Sequence, residues 1–311
     1  MRAFIFPGQG SQAVGMGKAL AEASATARAV FQEVDDALGQ HLSRLMFEGP
    51  GEELVLTENA QPAIMANAIA TLRVLEKEGG IRLADKADYV AGHSLGEYSA
   101  LCAAGALDIA TTALLLKHRG LAMQAAVPVG MGGMAALLGA DIATAQKIAD
   151  AASEGEIRTV ANDNDPSQVV ISGAKGAIDR AIALAKDHGA KRAIALPVSA
   201  PFHCPMMQPA ADAMAKALAD ARIDTPLVPV FANVTAQPVS DVDTIRRLLV
   251  EQVTGMVRWR ESVLVMAETG VERFIEFGGK VLAPMVKRIA PDVDALSVVT
   301  MDDIEALTKN L

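Results

Sequence analysis

Short apolar runs alternate along this chain with longer alanine-rich and leucine-rich segments of helical period. The runs lie at 3–6, 88–91, 169–171 and 228–232. Apolar runs of this length are typical of buried strands, and strands that alternate with helical segments are typical of α/β folds. The pattern therefore predicts an α/β fold with a central, mostly parallel sheet.

A denser pattern of the same kind occupies residues 128–197. Its segments are strands at 134–138, 157–161, 169–172 and 193–196, with helices that begin near 141 and 177. This strand-helix-strand-strand-helix-strand order is typical of a ferredoxin-like unit. We therefore expect residues 128–197 to form an inserted ferredoxin-like subdomain. Residues 1–127 and 198–311 are then expected to form the larger core.

The composition limits the classes of function. Apolar residues make up 51% of the chain, and its net charge is -9. A negative net charge argues against general nucleic-acid binding, which needs a basic surface. No segment approaches the roughly 18 consecutive apolar residues of a membrane span, and the first apolar run is too short for a signal peptide. Because Cys102 and Cys204 are the only cysteines, we expect reduced thiols and a cytoplasmic protein that binds neither nucleic acid nor membrane.

A serine lies between two glycines in the segment 92–96, Gly-His-Ser-Leu-Gly. This pattern alone arises by chance in roughly one chain of this length in ten, so its setting carries the interpretation. It falls between a predicted strand and a predicted helix, which is the setting of the nucleophile elbow. Ser94 is therefore the candidate nucleophile, and the larger core is expected to be α/β-hydrolase-like.

Three further motifs accompany the elbow across nearly the whole chain. The four segments are 6–12 (FPGQGSQ), 92–98 (GHSLGEY), 119–124 (RGLAMQ) and 201–203 (PFH). In this order they resemble the motifs of bacterial, free-standing malonyl-CoA:acyl-carrier-protein transacylases. The resemblance implies transfer of a malonyl group from malonyl-CoA to the phosphopantetheine thiol of acyl carrier protein in fatty acid synthesis. It also implies a ping-pong mechanism through a malonyl-Ser94 ester, with no cofactor and no metal, and a monomer is expected.

The same resemblance implies roles for three catalytic groups. Ser94 receives the acyl group, and His203 removes the serine proton and later protonates the leaving thiolate. A histidine suits both steps because its unperturbed pKa is about 6.5. The backbone carbonyl of Gln252 is implied to orient the His203 ring. Our physical hypothesis for the missing acid is that a carboxylate beside the ring would repel the malonate carboxylate.

Specificity is implied to depend on Arg119. A planar guanidinium can hold a carboxylate through two parallel hydrogen bonds, which a lysine cannot reproduce. From the residues alone, Arg119 fits the cleft and the solvent-exposed face of its helix equally well. The backbone N–H groups of Gln9 and Leu95 are implied to form an oxyanion hole.

Two more residues are candidate cleft residues. Asn162 resembles an asparagine that lines the cleft in relatives, although a turn-forming role explains it equally well. Phe202 is a bulky residue that accompanies malonyl rather than methylmalonyl use in related synthase domains, because the ring fills the space of an α-methyl branch.

Two other classes of function stay open from the residues alone. Thioesterases and patatin-like lipases also use an elbow serine. No Asp in the chain is followed by Gly, which disfavours the patatin pattern, but acids between Ser94 and His203 leave a thioesterase triad open. A non-catalytic carrier-binding module is the third reading, disfavoured because Ser94, His203 and Arg119 are all present. The range of extender units, the docking surface, the oligomeric state and the pathway are left open.

Overall fold

The computed structural model describes all 311 residues and contains two separate β-sheets. The strands are β1 Arg2–Phe6, β2 Tyr89–Gly92, β3 Gly132–Leu138, β4 Arg158–Asp165, β5 Gln168–Ala174, β6 Arg192–Ala195, β7 Val230–Ala232, β8 Gln237–Val239, β9 Arg273–Phe277 and β10 Asp294–Val298. The helices are α1 Lys18–Ala23, α2 Ala25–Leu38, α3 Leu42–Glu48, α4 Gly51–Leu54, α5 Thr57–Lys77, α6 Leu83–Lys86, α7 Gly96–Ala103, α8 Ile109–Ala126, α9 Ile142–Ala151, α10 Lys175–Leu184, α11 Gln208–Asp220, α12 Val242–Thr254, α13 Trp259–Glu268, α14 Leu282–Ile289 and α15 Met301–Asn310.

The larger sheet has the strand order β10-β9-β1-β2-β7-β8. All neighbouring pairs are parallel except β7 and β8, which are antiparallel at one edge. The predicted α/β fold with a central, mostly parallel sheet is therefore confirmed. The central strand β1 is buried over Ala3–Phe6, as expected for a strand covered by helices on both faces.

The smaller sheet is antiparallel and has the strand order β4-β5-β3-β6. Helix α9 lies between β3 and β4 in the chain, and α10 lies between β5 and β6. The element order is thus the predicted one. The weak strand predicted at 157–161 is longer than expected, because β4 continues to Asp165 with irregular register after Val160.

Two buried carboxylates of β4 connect the smaller sheet to helices of the larger unit. Asp163 binds the guanidinium of Arg260 in α13 at 3.0 Å. Asp165 binds Arg288 of α14 at 2.8 Å and is 1% exposed. Pairing is needed at these positions, because a buried carboxylate without a partner carries a large desolvation penalty. The pairs therefore hold β4 against α13 and α14.

The longest helix, α5, is buried over most of its length and belongs to the main hydrophobic core. Alanine, isoleucine and methionine fill its interior positions, so it packs closely against α2 and α8.

No helix of the protein is both long enough and apolar enough to cross a membrane.

Helix α7 begins in unusually close contact with strand β1. A Cβ atom added at Gly96 would lie 2.2 Å from the carbonyl oxygen of Phe6. Real Cβ atoms do not approach a backbone oxygen so closely, and backbone on a central strand cannot move aside cheaply. The absence of a side chain at Gly96 therefore sets how near the helix lies to the sheet.

We expect Gly96→Ala to lower the free energy of unfolding by about 3 kcal/mol, because the added methyl group overlaps the backbone of β1. Gly51→Ala is the matched control, since a Cβ there would lie 3.6 Å from Val14, an ordinary contact. The control should change the free energy by less than about 1 kcal/mol. Urea denaturation measures both values, and equal stability of the two variants would contradict the close packing.

Candidate active site

A cavity of about 400 Å³ lies between the two sheets. Residues from β3, β4 and β5 line one side, and the loops after β1 and β2 line the other. Of the eight predicted site residues, all but Gln252 line this cavity, namely Gln9, Ser94, Leu95, Arg119, Asn162, Phe202 and His203. Gln252 is fully buried behind the wall. The structure thus brings together side chains that are far apart in the sequence.

Ser94 lies at the predicted turn between β2 and α7, on strained backbone. Its φ is 54°, in the left-handed region that a non-glycine residue adopts at a cost of about 1–3 kcal/mol. A Cβ at Gly92 would lie 1.9 Å from the carbonyl oxygen of Gly96. The two glycines therefore let strand and helix meet at this angle, as the elbow pattern predicted.

Asn233 braces the elbow, and sequence reasoning missed it. Its Oδ1 accepts the Ser94 N–H at 2.7 Å, and its Nδ2 donates to the Gly92 carbonyl oxygen at 2.7 Å. Asn233 directly follows β7, the parallel neighbour of β2. A polar residue at the carboxyl end of a parallel strand was the one available signal, because functional groups collect at that edge.

His203 contacts the Ser94 hydroxyl and two backbone carbonyls. Its Nε2 lies 2.8 Å from Ser94 Oγ, and its Nδ1 lies 2.9 Å from the Gln252 carbonyl oxygen. The carbonyl oxygen of Gly255, which was not predicted, lies 3.1 Å from Nδ1. Since carbonyl oxygens only accept, Nδ1 carries the proton and Nε2 is free to accept one. No carboxylate touches the ring, so the triad of the thioesterase alternative is absent here.

The environment of His203 keeps its ring neutral. Burial, reinforced by the nearby charge of Arg119, lowers the pKa of His203 to about 3. Burial disfavours the charged imidazolium because the low-dielectric interior solvates it poorly. The ring is therefore in its proton-accepting form at neutral pH.

Arg119 lies on α8 with its guanidinium inside the site, not on the solvent-exposed face. It is 1% exposed. Its two Nη atoms donate to Gln61 Oε1 and Gln252 Oε1, each at 2.8 Å, and to Ser94 Oγ at 3.1 Å. The Tyr98 ring lies 5.7 Å from the guanidinium carbon. All the direct hydrogen-bond partners are uncharged, so the cation has no carboxylate in contact with it.

Glu97 is a buried acid of this site for which the motif predicted no role. It is 3% exposed. Its Oε2 accepts from Gln252 Nε2 at 2.7 Å and from the Asn233 N–H at 3.1 Å. Burial raises the pKa of Glu97 to about 7. The predicted absence of an acid beside His203 holds for the ring itself, but a carboxylate does lie behind the Gln252 side chain.

The backbone N–H groups of Gln9 and Leu95 have no hydrogen-bond partner within the chain. The Gln9 side chain is held by the Thr57 hydroxyl, 3.1 Å from its Oε1. Leu95 immediately precedes α7, so its N–H lies at the positive end of that helix. Gln9 and Leu95 line the same cavity as Ser94, so two free N–H groups of this site are available to a developing oxyanion.

The remaining predicted residues belong to the cavity wall. Asn162 lies within β4, so its turn-forming alternative was wrong. A backbone bridge pairs it with Val257. Phe202 packs at the edge of the cavity next to His203 and is 9% exposed.

No group of three or more His, Cys, Asp or Glu side chains is arranged to hold a metal ion.

Comparisons with known proteins agree with the motifs. The acyl transferase domain family matches residues 3–285. The malonyl CoA-acyl carrier protein transacylase of Bacillus subtilis is 44% identical, over 99% of this chain and 96% of that protein. The protein of the same name from Escherichia coli K12 is 45% identical, over 99% and 98%.

Solved structures give the same result. The crystal structure of acyl-carrier-protein-S-malonyltransferase from Bartonella henselae superposes with a TM-score of 0.97 at 51% identity and covers 99% of this chain and 98% of that one. The chain therefore belongs to the acyl transferase domain family and, within it, to the malonyl-CoA:acyl-carrier-protein transacylases that its motifs resemble.

Proposed function

We propose that this enzyme moves a malonyl group from malonyl-CoA to the phosphopantetheine thiol of an acyl carrier protein, through an ester on Ser94, to supply extender units for fatty acid synthesis. The observation that carries this proposal is the position of Arg119. A buried guanidinium without a contacting carboxylate lies 3.1 Å from the Ser94 hydroxyl. Such a cation favours an acyl group that ends in a negative charge.

The first half-reaction acylates the serine. His203 Nε2 takes the proton from Ser94 Oγ as that oxygen bonds to the thioester carbonyl carbon. The tetrahedral intermediate collapses by breaking the carbon–sulfur bond, and His203 returns the proton to the sulfur of coenzyme A. The products are the malonyl ester of Ser94 and the free thiol of coenzyme A.

The second half-reaction repeats these steps with the other thiol. The phosphopantetheine sulfur gives its proton to His203 and attacks the ester carbonyl. The bond to Ser94 Oγ then breaks, and His203 returns the proton to that oxygen. Because both halves use one base and one nucleophile, donor and acceptor bind in turn, which is the ping-pong order.

Preorganised donors stabilise the negative oxygen of each intermediate. The unpaired N–H groups of Gln9 and Leu95 are assigned this role, supported by the amino-terminal end of α7. Removing a donor of this kind costs on the order of 100-fold in rate in other enzymes. Since both donors are backbone groups, the loop after β1 and the elbow must hold their shape.

Arg119 and Phe202 are assigned to acyl selection. The two Nη atoms that now donate to Gln61 and Gln252 have the fork geometry that binds a carboxylate through two bonds. Phe202 limits the space beside the reacting carbon and disfavours an α-methyl branch. One such contact discriminates by about 1–3 kcal/mol. Asn162 is assigned to the cavity wall.

The proposed function goes with an assignment of the chain to a core and an inserted subdomain. We assign residues 1–127 and 198–311 to an α/β-hydrolase-like core, and residues 128–197 to a ferredoxin-like subdomain. The parallel sheet with an elbow after a central strand supports the first assignment. The antiparallel β4-β5-β3-β6 order supports the second.

Malonyl-CoA mixed with the enzyme should leave a malonyl adduct that intact-mass spectrometry detects. Ser94→Ala should show none, because the attacking oxygen is gone. Peptide mapping should place the adduct on Ser94. An adduct of equal yield on the Ser94→Ala variant would contradict the ester intermediate.

Arg119→Ala should lower kcat/KM for malonyl-CoA by at least about 100-fold, which corresponds to about 3 kcal/mol of lost bonds to a charged group. Activity with the uncharged donor acetyl-CoA should be unchanged or higher. Arg119→Lys should also fail to restore malonyl transfer, because lysine lacks the fork. Lys117→Ala is the control, since Lys117 lies on the same helix but binds Gln40 and Asn59 outside the cavity. Equal losses for both donors in Arg119→Ala would remove Arg119 from acyl selection.

The isolated malonyl enzyme should pass its acyl group to pantetheine at least about 100-fold faster than to water, because a thiol deprotonates far more easily. Rapid quenched-flow mixing with acid, followed by mass analysis, gives the rates of acyl transfer to pantetheine and to water. The enzyme without added thiol is the control. Comparable rates with thiol and with water would favour the hydrolase alternative.

A further inference from the structure

A continuous chain of hydrogen bonds runs from the buried acid Glu97 to the guanidinium of Arg119. Gln252 Nε2 donates to Glu97 Oε2 at 2.7 Å, and Gln252 Oε1 accepts from Arg119 at 2.8 Å. The Asn233 N–H also donates to Glu97 Oε2 at 3.1 Å. Gln252 Nε2 also donates to the Ser94 carbonyl oxygen at 3.1 Å. The Gln252 side chain is 0% exposed, so water does not compete for these bonds.

The ionised Glu97 fixes which way the Gln252 amide points. A carboxylate can only accept hydrogen bonds, so the amide must turn its NH₂ toward Glu97. Its carbonyl oxygen must then face Arg119. The Ser94 carbonyl, another pure acceptor 3.1 Å from Nε2, favours the same orientation. If the amide were reversed, its NH₂ would face the donors of Arg119.

The amide also keeps Glu97 at a distance from the cation. A carboxylate in direct contact with Arg119 would form the bidentate pair that a carboxylated substrate needs to form. With Gln252 between them, Glu97 still stabilises the buried cation through space, because charges interact strongly in a poorly solvated interior. No carboxylate of the chain therefore competes with the substrate for direct contact with the guanidinium.

We propose that Glu97 is a positioning residue for acyl selection: it acts through the Gln252 amide to hold the Arg119 guanidinium in place at the cavity, where the carboxylate of the acyl group binds. This inference rests on the proposed function, in which Arg119 binds that carboxylate. Gln252 then serves two roles. Its backbone carbonyl orients His203, and its side chain connects Glu97 to Arg119 through hydrogen bonds.

The proposal implies a pH dependence of selectivity. Burial raises the pKa of Glu97 to about 7. The other titratable groups that face this network are Arg119, Tyr98, His93 and His203. Burial lowers the pKa of both histidines, that of His203 to about 3, and raises the pKa of Tyr98. Each of these pKa values is therefore shifted away from 7, where Glu97 titrates. The Arg119 guanidinium keeps its charge.

Protonation of Glu97 adds an O–H donor to a group that otherwise only accepts. The protonated acid no longer forces the amide orientation, and its charge is lost. Selectivity for carboxylated donors therefore reaches its full value about one pH unit above 7 and declines as the pH falls through 7. An uncharged donor does not need the fork, so its rate should not share this change.

The test compares kcat/KM for malonyl-CoA with kcat/KM for acetyl-CoA in the full-length enzyme. At pH 8, Glu97→Gln should lower the malonyl-to-acetyl ratio about tenfold, which is about 1.4 kcal/mol, because glutamine can both donate and accept. Ser99→Ala is the matched control, since Ser99 lies buried on the same helix and its hydroxyl has no partner. The control should leave the ratio within about twofold.

A double variant separates this proposal from the function on which it rests. If Glu97 acts through Arg119, adding Glu97→Gln to Arg119→Ala should not change the ratio further. If Arg119→Ala leaves the wild-type ratio intact, the proposed function itself fails. If Arg119→Ala collapses the ratio while Glu97→Gln does not, or if Glu97→Gln slows both donors equally, only the role of Glu97 is overturned.

The wild-type pH profile tests the proposal even if Glu97→Gln does not fold. Between pH 5.5 and 8.5, the malonyl-to-acetyl ratio should fall toward low pH with a midpoint near 7. Taking the ratio cancels effects of pH on the shared base His203. A flat ratio across this range would overturn the proposal.

Discussion

The architecture of the site follows from one costly feature, the burial of the Arg119 charge. A buried cation must be hydrogen-bonded or paired, or the desolvation penalty is prohibitive. Here the partners come from separate elements: Gln61 on α5, Gln252 on α12 and the Ser94 hydroxyl after β2. All are neutral, so the charge is tolerated without being cancelled. In the proposed function, a substrate carboxylate would bind a cation whose desolvation has already occurred during folding.

The position of Ser94 also depends on an unfavourable feature that its surroundings stabilise, in this case a strained backbone. Ser94 has a positive φ, and so does His203, with φ values of 54° and 56°. Strained backbone persists only when its surroundings over-determine it. At Ser94 they do, because Asn233 ties both the serine N–H and the Gly92 carbonyl to the end of β7. The strained backbone and its restraint together place the Ser94 hydroxyl 2.8 Å from His203 Nε2.

Sequence reasoning found the groups with local signatures and missed those defined only by tertiary contact. The elbow was recognisable because glycine spacing reflects a local collision, and Arg119 because its motif is short and contiguous. Gln61 has no local signature and Asn233 only its place after a strand, since their roles exist only once α5 and β7 pack beside the site. A turn explained Asn162 equally well for a similar reason. The polar residues 162–165 lie in a strand, where distant arginines, Arg260 and Arg288, neutralise the buried carboxylates.

The way His203 is held bears on why such a site favours transfer over hydrolysis. In a hydrolase triad, a carboxylate behind the imidazole stabilises the imidazolium and strengthens the base. Here two neutral carbonyls take that place, and the pKa of His203 is lowered to about 3. Proton transfer to so weak a base is less unfavourable from a thiol, whose pKa is about 8.5, than from water, whose pKa is about 15.7. A buried ring without a carboxylate partner is therefore better matched to activating a thiol than to activating water, and no carboxylate contacts the ring to repel a negatively charged acyl group.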